Sequence, residues 1–291
     1  VRIREPVVAG QFYAGEPDAC RAAVAELLEE CGVPQQLPRH LLGGLVPHAG
    51  WVCSGSVAAG VFKALAASRR PKVIVLFGAA HRHRGRQAAL FGSGRWETPL
   101  GGIEIDDRLA ERILGHTNLI VDDPYAHENE HSLEVQLPLI KHLFPETKIV
   151  PIVVPSVQVA HEVGDAVART VNAYQYDVVI VGTTDLTHYG PNYGFVPHGI
   201  GRDGNRWAKQ ENDRRFLEVV SELRAEDVVA EARTSHNACG GGAVAATLAA
   251  VRALGATRGV LLSHTTSSEV LGAKTGAVQQ DSVGYAGVVF A

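Results

Sequence analysis

Residues 178–191 read VVIVGTTDLTHYGP. Val178–Val181 are an unbroken run of β-branched residues, the pattern of a strand buried on both faces of a parallel sheet. Gly182 breaks the run, and small polar residues lead to Asp185, His188 and Tyr189 in one loop. In an open α/β sheet the carboxyl ends of the strands share one edge, and ligands collect there. The stretch therefore predicts a site at a strand end. It also has a plainer reading, because Asp side chains cap turns throughout proteins.

Two further segments follow the same plan. LLGGLVPHAG (41–50) reads as a buried strand ending in His48, and KVIVLFGAAH (72–81) as another ending in His81. Cys239 stands immediately before Gly240–Gly242, where a turn enters a helix of small residues. If these strands are neighbours, two imidazoles and a sulfur converge on one cation, and zinc, iron and copper all accept that donor set. No local spacing of the CxxC or HExxH kind supports the assignment. A single His beside a turn is ordinarily a satisfied polar residue; the repeat of strand, glycine and histidine is what points to metal. The helix start predicts a lowered pKa for Cys239, against the alternative of an inert packed thiol. Cys53 reads as core. In EHSLEVQLP (130–138), helical spacing puts His131 and Glu134 on one face. With Glu130 they can orient a ligating His from behind, or simply open a solvated helix. Trp51 and Tyr189 flank the predicted cleft, as aromatic lining or as core.

The remaining chain alternates in the same way. Helical patterns cover 18–31, 107–115, 131–144 (interrupted by Pro138), 157–173, 206–221, 224–233 and 239–255; Ser54 or Ser56 can cap another that Pro71 ends. Apolar strands recur at 148–155, 258–268 and 283–290, and a Gly- and Pro-rich middle region (89–106) reads as short strands. PQQLPRH (34–40) is a polar connector. This order implies an α/β fold: a single-domain sandwich over 1–291, with a mainly parallel or mixed central sheet flanked by helices.

Composition narrows the function classes. The chain has 291 residues, 46% apolar and 20% charged, an ordinary globular balance. The net charge of −4 and the lack of any long Lys/Arg run argue against nucleic acid, RHRGR (82–86) being the densest basic patch. Charges, Gly or Pro interrupt every apolar stretch before the eighteen or so residues a bilayer needs, so no membrane association is expected. The start lacks a secretory pattern. There is no Met, and Val1 fits an alternative start codon or a trimmed terminus. Four cysteines do not make a disulfide framework, and Cys20 and Cys31 lie too far apart along one helix to bridge. A reducing, cytoplasmic setting is expected.

PVVAGQFY, VPHAGWVCSG, ETPLG, EHSLEVQLP, TTDLTHYGP, NYGFVPHG, ACGGGA and the terminal VGYA together resemble the Memo family, whose bacterial and archaeal members are called AmmeMemoRadiSam system protein B. The resemblance spans nearly the whole chain in order. It implies a fold like that of class III extradiol ring-cleaving dioxygenases, built around a non-haem iron site. By position it makes His48, His81 and Cys239 metal ligands and places Asp185 and His188 beside the metal, His188 standing where those dioxygenases keep an acid/base histidine. Fe(II) is the implied ion, with copper or zinc as alternatives. Two departures stand out. GAAHRHRG replaces the usual GPSHH-like run around His81, and Cys239 stands where the dioxygenases have a carboxylate. Two His and one carboxylate is the arrangement of Fe(II) oxygenases, whereas a thiolate can itself be oxidised. Ring cleavage does not follow from the fold alone.

Three functions stay open at this level. The first is a metal-binding redox protein, an oxidoreductase on a small aromatic substrate, with His188 moving a proton and Asp185 fixing its tautomer. The second is a hydrolase with Cys239 as nucleophile, His188 as base, Asp185 as orienter and the Gly240–Gly242 amides as oxyanion site. The third is a non-catalytic module that receives a peptide or partner in the metal cleft.

Overall fold

In the computed structural model, which describes residues 2–34 and 36–291, the run at 178–183 is an interior strand of a wide mixed sheet. Val1 and Gln35 of the polar connector lie outside the described residues. Among the described residues the strands are β1 (Ile3–Arg4), β2 (Gly43–Val46), β3 (Val73–Ala79), β4 (Ala88–Leu90), β5 (Arg95–Trp96), β6 (Ile103–Glu104), β7 (Ile120–Asp122), β8 (Lys148–Val154), β9 (Val178–Thr183), β10 (His188–Tyr189), β11 (Gly259–Thr266) and β12 (Ser282–Phe290). The main sheet runs β10-β12-β2-β9-β3-β8-β4-β7, with β11 on the free side of β12; β1, β5 and β6 form a small separate sheet. The centre, β2-β9-β3-β8, is parallel, while β12 and β4 attach antiparallel.

Both faces of that parallel centre are covered, which is why its strands read as continuous apolar runs. Val73, Val75 and Phe77 of β3 enter one core with helices Asp107–His116, Ala160–Ala173 and Gly241–Ala253. Ile74 and Leu76 enter the other, with helices Pro17–Glu30 and Trp51–Ser68. The small-residue composition of Gly241–Ala253 answers to close approach: a Cβ at Gly164 would lie 1.9 Å from the Ala246 carbonyl oxygen, and one at Gly182 would lie 2.1 Å from Thr247 Oγ1.

Several local expectations change. Helix Trp51–Ser68 starts earlier than Ser54, whose hydroxyl instead donates back to the Ala49 carbonyl at 2.9 Å. That helix meets the length and composition of a membrane span, with mean hydropathy 1.3, contrary to the sequence expectation; 61% of it is buried against the sheet, so it is a core helix here. Pro138 divides its segment into a 3-10 turn (Glu134–Gln136) and a helix (Leu137–Leu143), sitting in the first turn where a missing N–H costs nothing. Helix Ser267–Thr275, not anticipated, opens on a capping box between Thr266 and Glu269.

His127 gives the fold a defined acid response. It is fully buried, its Nε2–H donates to the Ala89 carbonyl at 3.0 Å, and Nδ1 has no partner among the described residues. Burial, with some help from the Arg4 charge and against the Ala89 bond, lowers its pKa to about 3. Between the ordinary histidine value and that one, the unfolded chain holds a proton that the native chain refuses. The His127 contribution to stability is thus complete above about pH 6.5 and falls by up to about 1.4 kcal/mol per pH unit below it. Urea midpoints across this range are expected to show a shallower pH slope for His127→Gln, by about one proton. Equal slopes would contradict the assignment.

Candidate metal centre

β2, β9 and β3 are adjacent and parallel, so the loops beyond their carboxyl ends meet. His48 follows β2, Asp185 follows β9 and His81 follows β3. Cys239 arrives from across the edge in the turn before helix Gly241–Ala253. That turn can press on the end of β9 because residue 240 is glycine; a Cβ there would lie 2.4 Å from the Thr183 carbonyl oxygen. The Cys239 and Gly240 amides donate to the Asp185 carbonyl (3.2 Å) and to Thr184 Oγ1 (2.9 Å).

His48 is the hub. It is buried, its amide donates to Asp185 Oδ1 at 2.7 Å, its Nδ1 lies 3.0 Å from Thr183 Oγ1, and its Nε2 lies 3.1 Å from Cys239 Sγ. The Asp185 amide also points at that sulfur, at 3.4 Å. On the other side of His48 stand two more imidazoles. Its ring centroid is 5.0 Å from that of His81 and 5.5 Å from that of His131, and those two rings stack on each other at 4.7 Å. His81 is anchored by Glu130, whose buried carboxylate accepts its Nδ1–H at 2.9 Å and its amide at 3.0 Å, together with the Ser132 amide at 2.9 Å. A carboxylate behind an imidazole fixes the tautomer and leaves Nε2 as the free donor atom.

Two donor groups result, sharing His48. The ligand atoms of His48, His81 and His131 lie within 4.8 Å of one another, and so do those of His48, Asp185 and Cys239. The expected set of His48, His81 and Cys239 is therefore distributed over two groups, with His131 and Asp185 completing them. His81 and Cys239 do border one cleft of about 530 Å³, together with His188, Tyr193, Phe195 and His236.

The protonation pattern divides the donors: His48 and His131 are held in the neutral form a metal needs, whereas His81, Asp185 and Cys239 are pushed toward their protonated forms. Burial, and then repulsion from His81 and His131, hold the His48 pKa well below the ordinary range, and His131 is lowered by burial and His81. Burial alone would raise Glu130, but its bonds to His81 and Ser132 bring it down to about 2. In turn His81 is raised, its burial outweighed by Glu130. Burial raises Asp185. It also raises the Cys239 thiol, with the Asp185 charge adding to the effect, so the expected lowering by a helix start is overturned. A metal would have to displace that proton.

Other expectations are corrected by geometry. Glu134 faces away from the histidines and binds Arg4, the amides of Val7 and Val8, and the Tyr13 hydroxyl. Trp51 is core, its Nε1–H donating to the Val135 carbonyl at 3.0 Å. Tyr189 is fully buried, with its hydroxyl donating to the Gly199 carbonyl at 2.7 Å. Asp185 does not orient His188, whose Nδ1–H goes to the Leu186 carbonyl at 3.0 Å. The Gly240 and Gly242 amides are taken by Thr184 and Ser156, which removes two of the three expected oxyanion donors and, with Asp185 off His188, leaves the expected hydrolase triad unassembled. The aromatic wall comes instead from Tyr193, edge-on to His188 at 5.0 Å, four residues beyond the tyrosine the sequence suggested.

A model of the Memo-like protein family matches residues 4–289. The chain belongs to the Memo-like family. A MEMO1 family protein of Methanopyrus kandleri is 35% identical over 297 residues, covering 99% of this chain and 98% of the relative. One from Thermococcus onnurineus is 36% identical over 295 residues, covering 99% of each. The crystal structure of an uncharacterized protein of Escherichia coli K12 superposes with a TM-score of 0.54 at 13% identity, over 87% of this chain and 100% of that one, and shares the fold. The Memo-like motifs thus surround a cluster of imidazole nitrogens, one sulfur and one carboxylate, a donor set that first-row divalent metals accept.

Proposed function

We propose that this Memo-like chain binds Fe(II), with copper or zinc as alternatives, through His48, His81 and Cys239, the ion drawing together the two donor groups that share His48, and that with iron or copper it acts as an oxidoreductase on a small aromatic substrate. The observation that carries the reading is the position of His48, with Cys239 Sγ 3.1 Å from its Nε2 and two further imidazoles on its other side. When bound, Fe(II) would supply one-electron chemistry and open positions for substrate and O₂. Every other part falls to the chain's own residues. Glu130 keeps the His81 ring turned so that Nε2 is its donor, and Asp185 holds the His48 loop through the backbone amide. His188 donates an Nδ1–H hydrogen bond to the Leu186 carbonyl, which leaves Nε2 to take a phenolic proton. Tyr193 supports the His188 ring at the cleft wall. Four free cysteines accord with a reducing cytoplasm.

Oxygen uptake by Fe(II)-loaded protein over a panel of catechols tests this reading. His188→Ala is expected to lower turnover about 10²–10⁴-fold while leaving metal content unchanged. Equal turnover in the variant would remove His188 from the chemistry. No uptake with any phenol, combined with saturable peptide capture, would replace the enzyme by a binding module.

A further inference from the structure

The cleft walls that carry His188 and Cys239 are tied together from behind by a helical turn of unusual pitch. Residues Ala208–Asp213 form a π-helical turn between helices Arg202–Trp207 and Arg214–Ser221. Turns of this kind recur at functional sites, because the wider winding re-aims consecutive side chains. Here the neighbours Asn212 and Asp213 are both buried, each 1% exposed. Asp213 Oδ1 accepts the amide of Thr187, the residue before His188, at 2.9 Å, and its Oδ2 lies 3.0 Å from His264 Nε2. Asn212 Nδ2 donates to Thr187 Oγ1 (3.1 Å) and to the Ser235 carbonyl (2.9 Å). The Asn212 carbonyl accepts from Asn237 Nδ2 at 3.0 Å, two residues before Cys239. The backbone of β12 closes the arrangement; a Cβ at Gly284 would lie 2.1 Å from Asp213 Oδ2. None of these side chains borders the cleft. One turn therefore grips the 185–188 loop with one set of bonds and the 235–239 loop with another.

We infer that Asn212 and Asp213 are positioning residues that set the distance between the His188 wall and the Cys239 wall, so that cutting the clamp loosens both walls together. The coupling between the loops stands apart from the proposed function and is read on the full chain. In metal-free protein, Asn212→Ala is expected to speed amide exchange at Thr187 and Cys239, and iodoacetamide labelling of Cys239, by about tenfold, while Asp213→Asn, which keeps an oxygen for the Thr187 amide, stays within about twofold of wild type. Amides of β3 and β8 keep their protection. Thr187→Val provides the cross-loop readout and the fallback if Asn212→Ala fails to fold. It removes only the hydroxyl on the His188 loop, yet it is expected to raise Cys239 labelling, which it does not touch. Uniform loss of protection across the chain, or faster exchange in one loop alone, would overturn the clamp, as would unchanged Cys239 labelling in Thr187→Val. Wild type that takes up no Fe(II) or Zn(II) would sink the metal reading and leave the exchange results standing as the test of the clamp.

Discussion

Glu134→Ala is expected to remove about 3–5 kcal/mol of folding stability, the largest single-residue effect proposed outside the hydrophobic cores. The carboxylate is fully buried and pairs with Arg4, itself 5% exposed, at 2.7 Å. It also accepts the Val7 and Val8 amides and the Tyr13 hydroxyl, each at 2.9 Å. Alanine would leave a guanidinium, two amides and a phenol without their common partner, and unpaired buried groups cost far more than the pair itself contributes. Arg4 is also held by the carbonyls of His127 and Glu130, both at 2.9 Å, so the N-terminal arm and the segment behind the histidines would loosen together. Urea denaturation measures the loss. Glu134→Gln, which keeps one acceptor oxygen, should lose less. A Glu134→Ala protein within about 1 kcal/mol of wild type would mean that the arm is held by other contacts.

The second large effect falls on the site. Glu130→Ala is expected to weaken metal binding about 10–100-fold, because the carboxylate that fixes a ligating histidine counts nearly as much as the ligand. Glu130 accepts from the ring and amide of His81 and from the Ser132 amide, so its loss frees the ring to turn and the loop to move. Chelator competition on the wild type, Glu130→Gln and Glu130→Ala should rank them in that order. Equal affinities would remove Glu130 from the metal site while leaving the fold account untouched.

The strands carrying His48, His81 and Asp185 were readable because a strand buried on both faces is a continuous apolar run, and its end is marked by the first polar residues. β2, β9 and β3 lie side by side, which is the adjacency that reading required. The 130–138 segment was less legible. The sequence there has a helical period, but only a 3-10 turn and a short helix form, so His131 joins the imidazoles while Glu134 turns to Arg4. No local pattern says which of two tyrosines faces a cleft, since Tyr189 sits in β10 and is covered by Phe195 and Trp207, whereas Tyr193 ends the 3-10 turn that follows. The state of Cys239 is illegible for a similar reason: the nearby helix start is visible in sequence, but the burial and the Asp185 charge that outweigh it are tertiary. The extra winding at Ala208–Asp213 has no counterpart in hydrophobic period at all.

The most direct measurement is anaerobic metal analysis of wild type beside His48→Ala, combined with the rate at which Cys239 is alkylated with and without metal. Near-stoichiometric Fe(II), Cu or Zn in wild type, its loss in His48→Ala, and slower alkylation of Cys239 when metal is present are the predicted results. Full metal uptake by His48→Ala, or a Cys239 thiol that alkylates equally fast with metal bound, would show that the imidazoles and the sulfur do not serve one ion.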